Sequence, residues 1–158
     1  MNNNITMRGK DALKASLAEC FITVDGRRYN FMQLINFEAR FETQTTELPI
    51  LGRTGKANMT TGWTGTFSGE AYYNQSVIRE MFEKFKDTGE QTYVEIQITN
   101  EDPNSNAGRQ TVIFKDALIN GGILAKFDAD GDYLTEDING TFDDFVIPTK
   151  FNLLDGMI

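Results

Sequence analysis

The 158-residue sequence contains no histidine and a single cysteine, Cys20. Without histidine, the Ser-His-Asp and Cys-His nucleophile systems, most zinc sites and the commonest general base are excluded. One cysteine cannot form an internal disulfide, and in an alternating stretch Cys20 is expected to be a small apolar core residue. The sequence therefore predicts no catalytic residue, no metal site and no cofactor.

Long apolar runs are also missing. No stretch approaches the ~18 consecutive apolar residues that a membrane span needs. The first 20 residues lack the apolar segment of a signal peptide. We therefore expect no membrane anchor and synthesis in the cytoplasm.

The sequence contains fewer basic than acidic residues, since 15 Lys and Arg and 23 Asp and Glu give a formal net charge of -8. A protein that grips nucleic-acid phosphates needs clustered basic residues, and here they are scattered. Tight nucleic-acid binding is not expected, whereas repulsion of nucleic acid is compatible with this charge.

Two segments match binding motifs only in part. An EF-hand loop that began at Asp128 would have Tyr133 and Asn139 where the motif needs Gly and Glu. In LGRTGK the glycines are too close together for a phosphate-binding loop. A hairpin turn at Asp130-Gly131 and an ordinary loop are the preferred interpretations.

What the sequence does contain is an alternation of apolar and polar residues, which is typical of half-buried strands. The alternation is clearest in two long segments, Leu34–Thr45 and Trp63–Tyr73. Asp25-Gly26 and Asp130-Gly131 predict hairpin turns. Shorter strands are predicted at Cys20–Val24, Tyr29–Met32, Gln91–Thr99, Thr111–Ile119, Ile123–Ala129 and Tyr133–Phe145.

One α-helix is predicted over residues 75–88, where apolar residues recur at three- and four-residue steps. Asn74 or Ser76 can cap its start, and Gly89 can end it. The apolar face is expected to cover the apolar side of the sheet. It consists of Val77, Ile78, Met81, Phe82 and Phe85.

The predicted fold class is mainly β, an antiparallel β-sandwich or open barrel of about seven strands with one flanking α-helix. Residues 1–18 are polar and predict an N-terminal arm, extended or with a short helix over Ala12–Ala18. Residues 19–158 would form a single domain. Within it, Pro49, Gly52 and Gly55 predict a long loop at 46–61, whose apolar residues favour an assembly over a monomer.

Four segments follow one another in a recognisable order. They are INFEARFE with the following LPILGRTGK, WTGTFSGEAYY leading into SVIREMFEKF, VEIQITNEDPNSNAGRQTV, and KDALINGGILAKFDADGDYLTEDINGTFDDFVI. In this order they resemble the tail tube proteins of contractile phage tails and of phage-tail-like particles, especially those of Gram-positive hosts. The resemblance spans roughly Glu19 to the C-terminus, and its most specific parts are the junction of the second long strand with the helix and the segment NEDPNSNAGRQTV.

The resemblance implies a structural subunit, not an enzyme, that assembles into hexameric rings. The rings would stack into a channel through which DNA or an effector passes without specific binding. The implied partners are further copies of the chain and the tail sheath, baseplate and tail terminator proteins. The implied location is a virion tail or phage-tail-like particle, assembled in the cytoplasm of a bacterial host.

Within such a tube, the apolar residues of the loop and the polar faces of the two long strands predict roles for two sets of residues. The loop at 46–61 would stack one ring on the next through Leu48, Pro49, Ile50, Leu51 and Arg53. The polar faces of the two long strands would line the channel with Glu38, Arg40, Glu42, Thr64, Thr66, Ser68 and Glu70. Alternatively, these faces point outward and the strand Asp137–Asp143 lines the channel.

Other functions remain open from the sequence. The chain could form the tube of a non-contractile tail, or of a bacteriocin or secretion particle that carries no DNA. A more distant alternative is a monomeric carbohydrate-binding β-sandwich with Trp63 in an aromatic platform. Against that alternative, Trp63 shares a strand face with Phe67, which favours burial.

Overall fold

The computed structural model describes residues 6–157, so residues 1–5 of the predicted arm and Ile158 of the tail lie outside the described residues. The chain divides into two compact units. Unit 1 contains the described residues of Met1–Met32, Tyr93–Asp116 and Phe145–Ile158, and unit 2 contains Gln33–Thr92 and Ala117–Asp144. The division into an arm at 1–18 and one domain at 19–158 stays a prediction.

Strands dominate the described chain, and the predicted mainly β class with one α-helix is confirmed. Residues 6–157 contain eight strands, where about seven were predicted. The elements are β1 (Ala18–Val24), β2 (Arg27–Asn30), β3 (Leu34–Pro49), β4 (Lys56–Tyr72), α1 (Val77–Thr88), β5 (Val94–Glu101), β6 (Arg109–Ile119), β7 (Thr135–Phe142) and β8 (Asp144–Thr149).

Unit 1 is built on the strand order β2-β1-β5-β6, with β8 also paired to β6. Ile22 lies opposite Ile96 and Val24 opposite Val94, and these four side chains are buried. Cys20 is buried beside them, as expected of a core residue. Burial raises the pKa of the Cys20 thiol to about 12, so the thiol stays protonated and unreactive near neutral pH.

The first predicted hairpin is confirmed. Asp25 and Gly26 have φ of 50° and 78°, the two positive values that a two-residue turn of this kind requires. The return strand begins at Arg27 rather than Tyr29, because a two-residue turn leaves no further loop residues.

The N-terminal segment is held by two buried aspartates of unit 1. Of the two forms predicted for the arm, the short helix over Ala12–Ala18 is wrong, and a 3-10 turn lies earlier, at Gly9–Asp11. Asp11 accepts hydrogen bonds from the backbone of Arg8 at 2.9 Å and from the side chain of Asn106 at 2.8 Å. Asp102 accepts one from the backbone of Lys14 at 3.0 Å. These bonds compete with a helix for the local backbone donors.

Stability should depend on the ionisation of Asp11. The hydrogen bond from Asn106, followed by the one from Arg8, lowers the pKa of Asp11 below its ordinary value of 3.8. A lowered pKa in the folded state contributes stability above the unfolded pKa, and that contribution is lost as the pH falls through the folded pKa. We expect Asp11→Asn to flatten the pH dependence of unfolding below about pH 4. Urea titrations from pH 6 to 2 would measure this, and parallel curves for the two proteins would contradict it.

Unit 2 is an antiparallel sheet in which β4 lies between β3 and β7. The end of β6 also pairs with β7. On the apolar face, large rings lie opposite glycines: Gly65 faces both Phe41 and Phe142, and Gly140 faces Phe67. Without a Cβ, these glycines leave room for the rings to pack closely against the backbone.

Helix α1 packs on this apolar face, as predicted. Arg79 of α1 reaches Glu136 of β7 at 3.1 Å, and the side chains of Ile78 and Met81 are buried. Gly89 ends the helix at φ 76°, the left-handed conformation that glycine favours. Ser76 is the N-cap residue but makes no side-chain capping bond. Phe85 stays half exposed.

The predicted hairpin around Asp130-Gly131 is wrong. The segment between β6 and β7 forms no strand in the structure, so no strand exists at 123–129. Neither Asp130 nor Gly131 has the positive φ that a two-residue hairpin turn needs. The Asp128 carboxylate instead accepts the backbone N–H of Asp130 at 3.1 Å. The predicted strand Tyr133–Phe145 is two strands, β7 and β8, separated at Asp143.

Side chains hold the segment between β6 and β7 in place of strand partners. Arg79 donates to the carbonyl oxygen of Ile123 at 3.2 Å, and the Tyr73 hydroxyl donates to that of Leu124 at 3.4 Å. Lys126 donates to the carbonyl oxygen of Thr135 at 2.8 Å. These three bonds satisfy backbone groups that a β ladder would otherwise satisfy.

Candidate functional site

The two long strands, β3 and β4, bring the predicted channel residues together on one face. Directly opposed residues of a β ladder lie on the same side of the sheet, and the register places Glu38 opposite Ser68. The neighbouring pairs on this polar face are Arg40 with Thr66, Glu42 with Thr64, and Asn36 with Glu70. All seven predicted residues therefore share one surface.

The polar face is open and carries a mainly negative charge. Its side chains are exposed, apart from the half-buried Glu70. Arg40 forms an ion pair with Glu38 at 2.8 Å. It therefore does not neutralise the negative charges of Glu42 and Glu70. An exposed ion pair of this kind contributes little to the free energy of folding. The charges of this face are therefore better explained by what the face contacts than by the stability of the subunit.

Strand β7 extends the polar face. Asp137 lies opposite Glu70, Asn139 opposite Ser68 and Thr141 opposite Thr66. The polar part of the strand Asp137–Asp143, considered from sequence as an alternative channel lining, thus lies on the same face as the β3 and β4 residues. The alternating segment TEDINGTF carried a signal for this face, but the register of β7 against β4 could not be obtained from sequence.

The β3–β4 hairpin continues well past its neighbours. Strand β7 pairs with β4 only over Gly65–Tyr72, whereas β3 and β4 stay paired out to Pro49 and Lys56. The long loop predicted at 46–61 is therefore wrong, since only residues 50–55 connect the strands. Within the described residues, β3 pairs with β4 alone, and an edge strand tolerates Pro49, which has no N–H.

A β-bulge explains why the sequence pattern failed here. Gln44 lies opposite Gly62, but Thr45 lies opposite Thr60, so Thr61 is an extra residue. A bulge of this kind shifts the alternation by one residue. Beyond it, the polar side of the hairpin carries Leu48 opposite Ala57, both half buried. The period of two is thus interrupted in sequence while the strands continue in space.

The predicted stacking residues are divided between strand and turn. Leu48 and Pro49 belong to β3, whereas Ile50, Leu51 and Arg53 lie in the connection. The backbone N–H of Arg53 donates to the carbonyl oxygen of Ile50 at 3.1 Å, and Gly52 has φ 85°. This is the geometry of a type II turn, which fixes Leu51, fully exposed, at the tip.

An exposed aromatic patch lies on the apolar side of the hairpin base, and it contains Trp63, so the burial of Trp63 expected from the sequence is wrong. The rings of Phe41 and Trp63 stack with centroids 4.9 Å apart, and Trp63 lies 6.1 Å from Phe142. Phe41 is 51% and Trp63 37% exposed. These exposed rings are candidates for contact with a partner.

Across residues 6–157, no group of three metal-ligating side chains comes close enough together to hold an ion. No described helix has the length and apolar character required to span a membrane.

Comparison with known proteins identifies the family. The model of the family described as "Phage tail tube protein" matches residues 5–148. The Bacillus subtilis (strain 168) phage-like element PBSX protein XkdM is 29% identical over 116 residues, which cover 73% of this chain and 79% of that protein.

Solved structures show the same fold. A chain of the anti-feeding prophage tube-terminating cap aligns with a TM-score of 0.67 at 12% identity, covering 94% of this chain and 99% of that one. A chain of the SPP1 tail tube aligns with a TM-score of 0.60 at 11% identity, covering 90% and 81%. The resemblance found in the sequence is confirmed, and the chain belongs to the phage tail tube protein family, a family of structural proteins and not of enzymes.

Proposed function

We propose that this chain is the repeating subunit of a tail tube, in which rings of six copies stack to form a channel for DNA or an effector. The observation that carries the proposal is the polar face of β3, β4 and β7. Four carboxylates, of Glu38, Glu42, Glu70 and Asp137, share it with one guanidinium, that of Arg40. A channel that lets DNA pass must not bind it, and net negative charge repels phosphates over a Debye length of ~8 Å.

The free strand edges support closure into a ring. In the described chain, the outer edge of β3 has no strand partner over its full length. Such an edge is a template for pairing with another chain, and a closed sheet removes it. Six copies that each contribute about four strands, spaced ~4.8 Å apart, would enclose a circle of roughly 37 Å diameter before strand tilt widens it.

The protruding hairpin supports stacking. It extends past β7 by the segments 42–49 and 56–64, or roughly 25 Å of two-stranded ribbon. An isolated two-stranded ribbon is marginally stable in water, and this one carries the exposed apolar residues Ile50, Leu51 and Met59. Contact with the next ring would cover them. Sheath, baseplate and terminator proteins would bind the assembled tube.

Shortening the hairpin should separate folding from stacking. Replacing residues 46–59 by Asn-Gly would close the strands between the paired Thr45 and Thr60 with a two-residue turn. We expect a folded subunit that no longer forms long tubes, because the stacking surface is gone. Circular dichroism and electron microscopy would measure the two properties. Tubes of normal length from this variant would contradict the proposed role of the hairpin.

Charge reversal on the polar face should make the channel bind nucleic acid. In Glu38→Lys/Glu42→Lys/Glu70→Lys the face becomes basic, and assembled tubes should retain nucleic acid in a salt-dependent way. Nucleic acid inside a tube is protected from nuclease, so the protected amount is the measurement.

A matched control reverses three exposed acids of α1, Glu80, Glu83 and Asp87, for the same change in charge. Nucleic acid bound by that variant should remain accessible to nuclease. Tubes of the first variant that hold no protected nucleic acid at low salt would place the polar face outside the channel.

A further inference from the structure

The sequence contains two Asn-Gly dipeptides, Asn120-Gly121 and Asn139-Gly140. Asparagine followed by glycine loses its side-chain amide readily, because glycine has no Cβ to hinder the approach of its own backbone nitrogen to the asparagine side chain. Both asparagine side chains are exposed, so access to water does not distinguish the two sites. The difference between them lies in the backbone.

The backbone at Asn139-Gly140 is fixed from both sides. Gly140 is buried, and it lies opposite Phe67 of β4 and opposite Ile119 of β6. In an extended strand ψ is about +135°, which directs the nitrogen of Gly140 away from the side-chain carbonyl carbon of Asn139. Attack by this nitrogen would therefore require both ladders to open.

The backbone at Asn120-Gly121 is fixed only on its N-terminal side. Strand β6 ends at Ile119, and the N–H of Asn120 donates to the carbonyl oxygen of Asn139 at 2.9 Å. Gly121 is exposed, with φ of 105° and open space where a Cβ would lie. Within residues 6–157, no hydrogen bond holds the N–H of Gly121. The ψ torsion of Asn120 can therefore change without the loss of a hydrogen bond.

We propose that Asn120 is a site of spontaneous deamidation, in which the backbone nitrogen of Gly121 attacks the side-chain carbonyl carbon of Asn120. The new C–N bond closes a succinimide ring. The bond from that carbon to the amide nitrogen breaks, and the amide leaves as ammonia with the proton of the Gly121 N–H. Water then opens the ring at either carbonyl carbon, which yields aspartate or isoaspartate.

Either product changes the chain at a defined place. The new carboxylate makes the formal net charge one unit more negative than its present -8. It lies beside Asn139, which belongs to the polar face through its position opposite Ser68. In the proposed tube, the modification would add negative charge next to the face assigned to the channel. This consequence rests on the proposed function, whereas the modification itself does not.

Peptide mapping by mass spectrometry tests the site. The purified full-length chain, kept dilute and unassembled, is incubated at mildly alkaline pH and sampled over time. We expect deamidation at Asn120 to be at least about tenfold faster than at Asn139, because opening a strand paired on both sides costs more than the ~1.4 kcal/mol that a tenfold ratio represents.

The same incubation in guanidinium chloride is the matched control. In the unfolded chain neither dipeptide is held in a ladder, so the two rates should become similar. A preference for Asn120 that persists unchanged in denaturant would show that the fold does not select the site, and would contradict the structural argument.

Two substitutions at the asparagines provide the second readout, the accumulation of an acidic form on ion-exchange chromatography. Asn120→Gln keeps the amide but lengthens the side chain, which makes ring closure less favourable, so the main acidic form should be lost. Asn139→Gln should leave its accumulation unchanged.

Three results would overturn the inference. They are equal or faster deamidation at Asn139 in the folded protein, a main acidic form that maps to another asparagine, and an acidic form that persists in Asn120→Gln. Each is measured on the free subunit, so none bears on whether the chain forms tubes. A failure to form tubes would in turn leave the assignment of Asn120 intact.

Discussion

Gly140→Ala is expected to destabilise the subunit by about 3 kcal/mol, at the upper end of the cost of overpacking a core. A Cβ at Gly140 would overlap the carbonyl oxygen of Leu118 and approach the ring of Phe67 within 2.8 Å. The carbonyl belongs to β6, which pairs with β7 at this point. It cannot move without breaking the ladder, so the strain is not relieved by a side-chain rotation.

Two other glycines allow the stability cost of an added Cβ to be compared between sites. At Gly65 the three atoms nearest the added Cβ all belong to the Phe142 ring, a side chain and not backbone, so a smaller loss is expected. At Gly55 nothing lies within 4 Å, and Gly55→Ala should be nearly neutral. For a chain of this length, a 3 kcal/mol loss corresponds to a melting temperature lower by roughly 6 to 12 °C. A melting temperature of Gly140→Ala within two degrees of Gly55→Ala would contradict the packing.

Arg79→Met is expected to cost about 3 to 5 kcal/mol, the usual effect of removing one partner from a buried ion pair. Arg79 and Glu136 lie 3.1 Å apart, with side chains only 15% and 7% exposed. Arg79 also donates to the backbone of Ile123 and Gln75, and its guanidinium lies 4.3 Å from the centre of the Tyr73 ring. The substitution leaves a buried carboxylate without its cation and releases the segment between β6 and β7.

The exposed pair of Arg40 and Glu38 provides the matched control. Its atoms are as close, at 2.8 Å, but both side chains are more than 60% exposed. Arg40→Met should therefore change stability by less than about 1 kcal/mol. The double substitution Arg79→Met/Glu136→Gln should recover part of the loss, because no uncompensated charge remains buried. Urea unfolding of the four proteins measures these differences, and equal costs at Arg79 and Arg40 would show that the pair does not hold helix to sheet.

Much of unit 2 follows from the sequence because its strands have one dry and one wet side. Alternation located the inner halves of β3 and β4 and the polar residues that share their face. The helix was found for a similar reason, since its apolar residues repeat at helical spacing. In both cases the spacing of the apolar residues along the sequence directly indicates which side chains are buried.

The incorrect predictions arose where one local sequence pattern is compatible with two backbone structures. Asp25-Gly26 and Asp130-Gly131 are the same dipeptide, yet only the first adopts positive φ at both residues. At the second, the side chains of Arg79 and Tyr73 hold the flanking backbone instead. Pro49 and the interrupted alternation predicted a loop, although an edge strand and a bulge accommodate both. Such choices depend on residues far away in sequence.

The tube itself can be seen by electron microscopy of the purified, concentrated protein. We expect hollow tubes of stacked six-fold rings whose inner surface, in a reconstruction, is formed by Glu38, Glu42, Glu70 and Asp137. Protein that remains monomeric at every concentration, or tubes in which these four carboxylates face outward, would contradict it.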